Sequence, residues 1–242
     1  MFRTILFSAF GAGLAVCLLV TLVQTVTTEP LILHAEEFEG GGHDHAAAAP
    51  HDHDAAAAAT DASVVAHDHG DGSEWAPADG AQRIAFTALA NLVVGIGASL
   101  ILLALMVLRG AGIDARRGVL WGGAAFVAVA LLPALGLPPE LPGTPAADLL
   151  DRQLWWLGTA LASGAGIALI AFGGHWAVKV AGLVLLVAPH AIGAPQPPSH
   201  DVAYPGALAG EFVIASLVVS GVLWTLAGAS VGWLYQRLSR TT

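Results

Sequence analysis

Thr4–Val26 reads TILFSAFGAGLAVCLLVTLVQTV, with Arg3 just before it and Glu29-Pro30 just after. No charged side chain interrupts the run. A helix needs about 20 predominantly apolar residues to cross the hydrocarbon core of a bilayer, and this stretch supplies them. A cleaved signal peptide is the competing reading. The run is longer than a typical signal h-region, and Val26-Thr27-Thr28-Glu29-Pro30 makes a poor cleavage sequence, so a retained transmembrane helix is the better account.

Working outward, five further apolar runs follow at about 84–108, 118–137, 154–173, 177–194 and 212–235. The fifth is the weakest, being short and interrupted by Pro189 and His190. Pro133 bends or ends the third, because proline cannot donate to the helical ladder. Composition agrees. The chain has 242 residues, 56% of them hydrophobic and only 11% charged, where a soluble domain carries about 25% charge. The expectation is an all-α, polytopic transmembrane helical bundle of about six spanning helices. Residues 1–26 form the first helix, 27–82 a long flexible loop, and 83–242 a five-helix region with short loops.

Lys and Arg set the orientation. With the N-terminus in the cytoplasm, Arg3, Arg109, Arg116, Arg117, Lys179, Arg237 and Arg240 all fall inside, and only Arg83 and Arg152 fall outside. Both termini are then cytoplasmic and the 27–82 loop is extracytoplasmic. Small residues mark where helices approach one another: Gly228 and Gly232 in the last run, Gly158, Ala162 and Gly166 in the fourth, Gly95 and Ser99 in the second. Thr144 and Pro145 read as the start of the fourth helix, with Asp148 in its first turn and paired to Arg152 four residues on.

The outer loop carries His-Asp-His three times, at His43-Asp44-His45, His51-Asp52-His53 and His67-Asp68-His69. His34, Glu36, Glu37 and Glu39 stand upstream, and no Lys or Arg occurs between positions 27 and 82. In an extended chain, residues i and i+2 point to the same side, so each pair offers two imidazoles together. Imidazole and carboxylate suit divalent first-row metals. The plain alternative is a solvated low-complexity segment. The intervening alanine runs and glycines argue for a collector of metal rather than a stiff cage. The net charge of −9 makes nucleic acid an unsuitable partner. The single cysteine, Cys17, excludes an intrachain disulfide and a cysteine-based metal site.

In this topology Glu140 in Pro138-Pro139-Glu140-Leu141-Pro142-Gly143, Arg152-Gln153 and His190 reach the same outer face as Glu29, His34 and Glu36, followed by Asp201 and Glu211. Ionisable groups at membrane depth are costly and are functional candidates by default. The competing readings are a His190 hydrogen-bonded to a neighbouring helix, Trp155 and Trp156 as interfacial belt residues, and Asn91 as an interhelical hydrogen bond. No G-x-x-x-x-G-K-[ST], H-E-x-x-H, G-x-S-x-G or Cys-x-x-Cys is present, and no nucleophile–base pair stands out. The chain is read as a non-enzyme that hydrolyses no ATP through a P-loop.

Four segments carry a family resemblance: Glu29-Pro30-Leu31-Ile32-Leu33-His34-Ala35-Glu36, Pro138 to Gly143, Arg152-Gln153-Leu154-Trp155-Trp156-Leu157-Gly158-Thr159, and Pro189-His190-Ala191-Ile192-Gly193-Ala194-Pro195-Gln196-Pro197. Through them nearly the whole chain resembles the CbtA family, membrane subunits of a predicted bacterial cobalt transporter. The resemblance implies Co²⁺ uptake across the bacterial cytoplasmic (inner) membrane, alongside CbtB, a small single-span subunit with its own histidines. The resulting reading is a membrane subunit with no permanently bound cofactor. The His/Asp loop gathers metal for an entry site that Glu36, Glu140 and His190 form or gate, with His34 a further candidate ligand. Nitrogen and oxygen ligands fit Co²⁺, Ni²⁺ and Zn²⁺ alike; the resemblance selects Co²⁺. A non-transporting metal sensor or chaperone is the alternative, and a continuous polar path inward would separate the two.

Overall fold

In a bilayer every backbone N–H and C=O must be satisfied within the segment, so long apolar runs become helices. The computed structural model describes residues 2–40, 77–110 and 112–240. Seven helices run through them: α1 (Phe2–Val26), α2 (Thr28–Gly40), α3 (Ala81–Arg109), α4 (Ala115–Ala134), α5 (Leu149–Phe172), α6 (Trp176–Ile192) and α7 (Gly206–Ser239). Five of these, α1, α3, α4, α5 and α7, are long and apolar enough to span a membrane. The weak fifth run becomes α6, with 17 residues. At 1.5 Å per residue it reaches about 25 Å, short of a full span.

The main correction to the sequence reading is α2. Residues 28–40 are helical rather than loop. Pro30 cannot donate to the Val26 carbonyl, so the chain breaks at Thr27, and proline is tolerated in the first turn of the helix that follows. Leu31, Ile32, Ala35 and Phe38 then share one face. They pack on Leu141, Tyr204, Leu208 and Phe212, which fixes α2 across one end of the bundle. His43, His45, His51, His53, His67 and His69 lie outside the described residues.

The core lies among α1, α3, α4 and α7. Val16, Val20, Leu102, Leu103, Met106, Ala227 and Val231 are buried there. Glycines let backbones close up. A Cβ on Gly118 would run into the Gly228 carbonyl oxygen, and one on Gly228 into that of Gly118. Gly95 sits against Val16 and Gly13 in the same way. Gly158, by contrast, faces open space. Asn91, buried in α3, donates to Thr21 Oγ1 (2.9 Å) and Gln24 Oε1 (2.6 Å) of α1, the interhelical role the sequence suggested.

α4 is not uniformly α-helical. Val127–Leu131 forms a π-helical stretch, with the Leu132 N–H bonded to the Val127 carbonyl. Pro133 follows at once. Its ring would collide with the carbonyl four residues back, and widening the turn relieves that. α5 and α6 form a hairpin against this stretch and meet through Gly166 and Gly182.

Candidate metal-handling site

Three segments converge beside α2 at one end of the bundle: residues 77–80 before α3, 135–148 between α4 and α5, and 193–205 between α6 and α7. The 135–148 segment is rigid for local reasons. Gly143 adopts a positive φ of 76°, closed to most L-residues. Thr144 Oγ1 donates to the Leu141 carbonyl (2.6 Å) and pairs with the Tyr204 hydroxyl. Thr144 is therefore not the helix cap. That role falls to Asp148, whose carboxylate accepts from Leu150 N (2.9 Å) and Asp151 N (3.3 Å).

This use of Asp148 overturns the expected Asp148–Arg152 pair. Arg152 instead reaches Glu140, with Nη2 2.7 Å from Oε2. The two side chains are 30% and 25% exposed, enough burial for the charges to depend on each other. The pair lines two cavities at once. One, of about 670 Å³, is also bounded by Val129, Pro133, Trp156 and Phe212. The other, of about 310 Å³, is bounded by Thr144, Gln196, His200 and Tyr204. Glu140 and Arg152 thus stand in the partition between them.

The two acidic candidates differ in how fully they are engaged. Arg83 grips Glu36 through both carboxylate oxygens (3.2 and 3.3 Å) and also meets Asp79 at 3.0 Å. Glu140 is held through Oε2 alone, and Oε1 makes no hydrogen bond among the described residues. Such an oxygen can take a second cation; Glu36 would first have to release its arginine.

His34 is exposed and stacks on Phe38, with ring centroids 5.5 Å apart. His190 lies at the end of α6 behind buried Pro189, edge-on to Trp155 at 5.9 Å. Its Nε2 is buried without a hydrogen-bond partner among the described residues, as is Trp155 Nε1. Trp155 therefore does more than sit at a lipid interface, whereas Trp156 is 40% exposed. Asp201 is tied to Ser199 (2.9 Å), and Glu211 is exposed. Among the described residues, no three His, Cys, Asp or Glu side chains converge to hold a metal ion. The structure brings Glu140 to Arg152, Glu36 to Arg83 and His190 to Trp155. The Glu140–Arg152 pairing escaped sequence reading because the i, i+4 spacing to Asp148 offered a nearer partner.

Among known proteins, a family model described as a probable cobalt transporter subunit, CbtA, matches residues 2–236. Comparison with curated proteins and with solved structures gave no match.

Proposed function

Because this chain belongs to the CbtA family of probable cobalt transporter subunits, we propose that it carries Co²⁺ inward across the bacterial cytoplasmic membrane with its α2 end outside. The observation that carries this reading is the Glu140–Arg152 pair standing between two cavities. A carboxylate at the mouth attracts a divalent cation. A tethered guanidinium on one of its oxygens makes occupancy a competition rather than a permanent site. Ligand exchange of this kind suits transport, where binding must favour both arrival and departure.

His43, His45, His51, His53, His67 and His69 collect metal upstream of that mouth, with His34 and Glu36 between them and Glu140. His190 receives the ion next through an imidazole nitrogen. Both termini are cytoplasmic in this reading, which the bias of Lys and Arg toward that side supports. A small single-span subunit of the CbtB type is the partner. The chain is non-enzymatic and holds no resident cofactor; the ion is cargo.

The test is Co²⁺ uptake normalised to membrane-inserted protein. Glu140→Gln should abolish uptake even at saturating metal, while deleting residues 41–72 should weaken it only at low supply, since a collector raises effective concentration without forming the path. Normal uptake by Glu140→Gln would leave the sensor or chaperone reading in possession.

A further inference from the structure

Beyond the outer mouth, α5 carries polar atoms that the fold buries without pairing. Thr159 is 1% exposed and Ser163 0% exposed, and neither hydroxyl has a hydrogen-bond partner among the described residues. Trp155 Nε1 lies one turn outward from Thr159 and is in the same condition, as is His190 Nε2 against the Trp155 ring. Each such group costs free energy in a low-dielectric interior, so several along one line need a reason.

They do lie along one line. With 100° per residue, Trp155, Thr159, Ser163, Gly166 and Ile170 fall within an arc of about 80° on α5. Three positions of that arc face α6: Trp155 meets His190, and Gly166 and Ile170 meet Gly182. Thr159 lies between these positions in azimuth and Ser163 about 20° beyond them, which puts both hydroxyls at this seam. From Trp155 to Ser163 it descends about 12 Å, to near the middle of α5. Across the seam, Pro189 has no N–H for the Leu185 carbonyl, which loses its ordinary helical donor there. The seam then stops. A Cβ on either Gly166 or Gly182 would lie 2.7 Å from the other's carbonyl oxygen, so the two backbones touch.

Resting on the transport reading above, we infer that the α5–α6 seam is the outer half of the cation path. His190 admits the ion, the Thr159 and Ser163 hydroxyls replace part of its hydration, and the Gly166–Gly182 contact is the constriction that must part. Hydroxyl oxygens suit the task because they coordinate a divalent ion weakly and release it readily. Glycine suits the constriction because only bare backbones close so tightly.

The experiment uses the full chain with its partner subunit, reconstituted in liposomes. Thr159→Val with Ser163→Ala removes both hydroxyls and leaves helix shape unchanged. It should slow Co²⁺ uptake about tenfold or more at saturating metal, as expected when two contacts to a charge are withdrawn from a rate-limiting barrier. Insertion and thermal stability should stay at or above wild type, because unpaired buried hydroxyls do not stabilise. Uptake at the wild-type rate would overturn the inference. A second arm reads the seam without transport. In a Cys17→Ser background, Ser163→Cys should react with a small cationic thiol reagent added outside, and Co²⁺ should slow that reaction. Absence of labelling, or labelling that Co²⁺ leaves unchanged, would overturn the seam. If the unsubstituted protein moves no Co²⁺, the transport reading falls, and the labelling arm still decides whether cations reach Ser163.

Discussion

The two halves of the bundle are packed on different terms. α1, α3, α4 and α7 share a buried core of interlocking Val, Leu, Met and Ala side chains, with glycine notches where α4 meets α7. α5 and α6 contribute nothing to that core. What they bury is Thr159, Ser163 and Gly166 on one side and Gly182 and Pro189 on the other. Lipid is as apolar as leucine, so helix association in a membrane rests on close van der Waals fit and hydrogen bonds rather than on exclusion of water. By that measure the first half is a scaffold. The second is a hairpin whose backbones touch at Gly166 and Gly182 and which buries polar atoms that lack partners among the described residues. An element held by few contacts is the one that can shift against the rest, as rigid-body transport schemes require.

The sharpest way to break the comparison is to force the scaffold apart. Gly228→Ala drives a methyl into the Gly118 carbonyl, so two backbones must separate. It should cost about 3 kcal/mol or prevent assembly, seen as a lowered unfolding midpoint in detergent. Gly158→Ala, on the hairpin's open face, should leave the midpoint unchanged or slightly raised. Equal responses at the two glycines would erase the distinction between the halves. A smaller effect tests the bridge between them. Arg152→Gln leaves the Glu140 carboxylate unpaired and should cost about 1 kcal/mol, given partial exposure. Adding Glu140→Gln should recover most of that loss, and a coupling below about 0.3 kcal/mol would mean the pair contributes nothing. The smallest lies within the scaffold. Asn91→Leu removes two hydrogen bonds to α1 and should cost about 1 kcal/mol, near what interhelical polar contacts contribute in membranes. An unchanged midpoint would show that apolar packing alone holds α1 to α3.

What could be read from the sequence followed from composition and period. Apolar runs located the spanning helices, and the Gly95 and Gly228 positions announced close approaches because small residues have little other use there. α2 was hidden because its glutamates and His34 dominate the composition, while its apolar face of Leu31, Ile32, Ala35 and Phe38 matters only once Leu141 and Tyr204 are beside it. The Asp148 cap and the Glu140–Arg152 pair were hidden for a related reason. A carboxylate satisfied by backbone amides is no longer available as an ion-pair partner, and spacing alone cannot say which role it takes. The Trp155–His190 contact joins residues on separate helices, beyond the reach of any local pattern.

The widened turn at Val127–Leu131 has a consequence for phase. It accommodates one residue more than an α-helical turn would. Each residue advances the helix by about 100°, so everything after the turn is rotated by that amount relative to an uninterrupted helix. Pro133 and the segment leading to Glu140 owe their azimuth to this widening, which absorbs the supernumerary residue. Closing the turn to a regular ladder with every residue kept would carry the mouth of the protein about a quarter turn around the α4 axis. The composition would be unchanged and the carboxylate would point elsewhere, whereas losing one residue along with the widening would leave it in place.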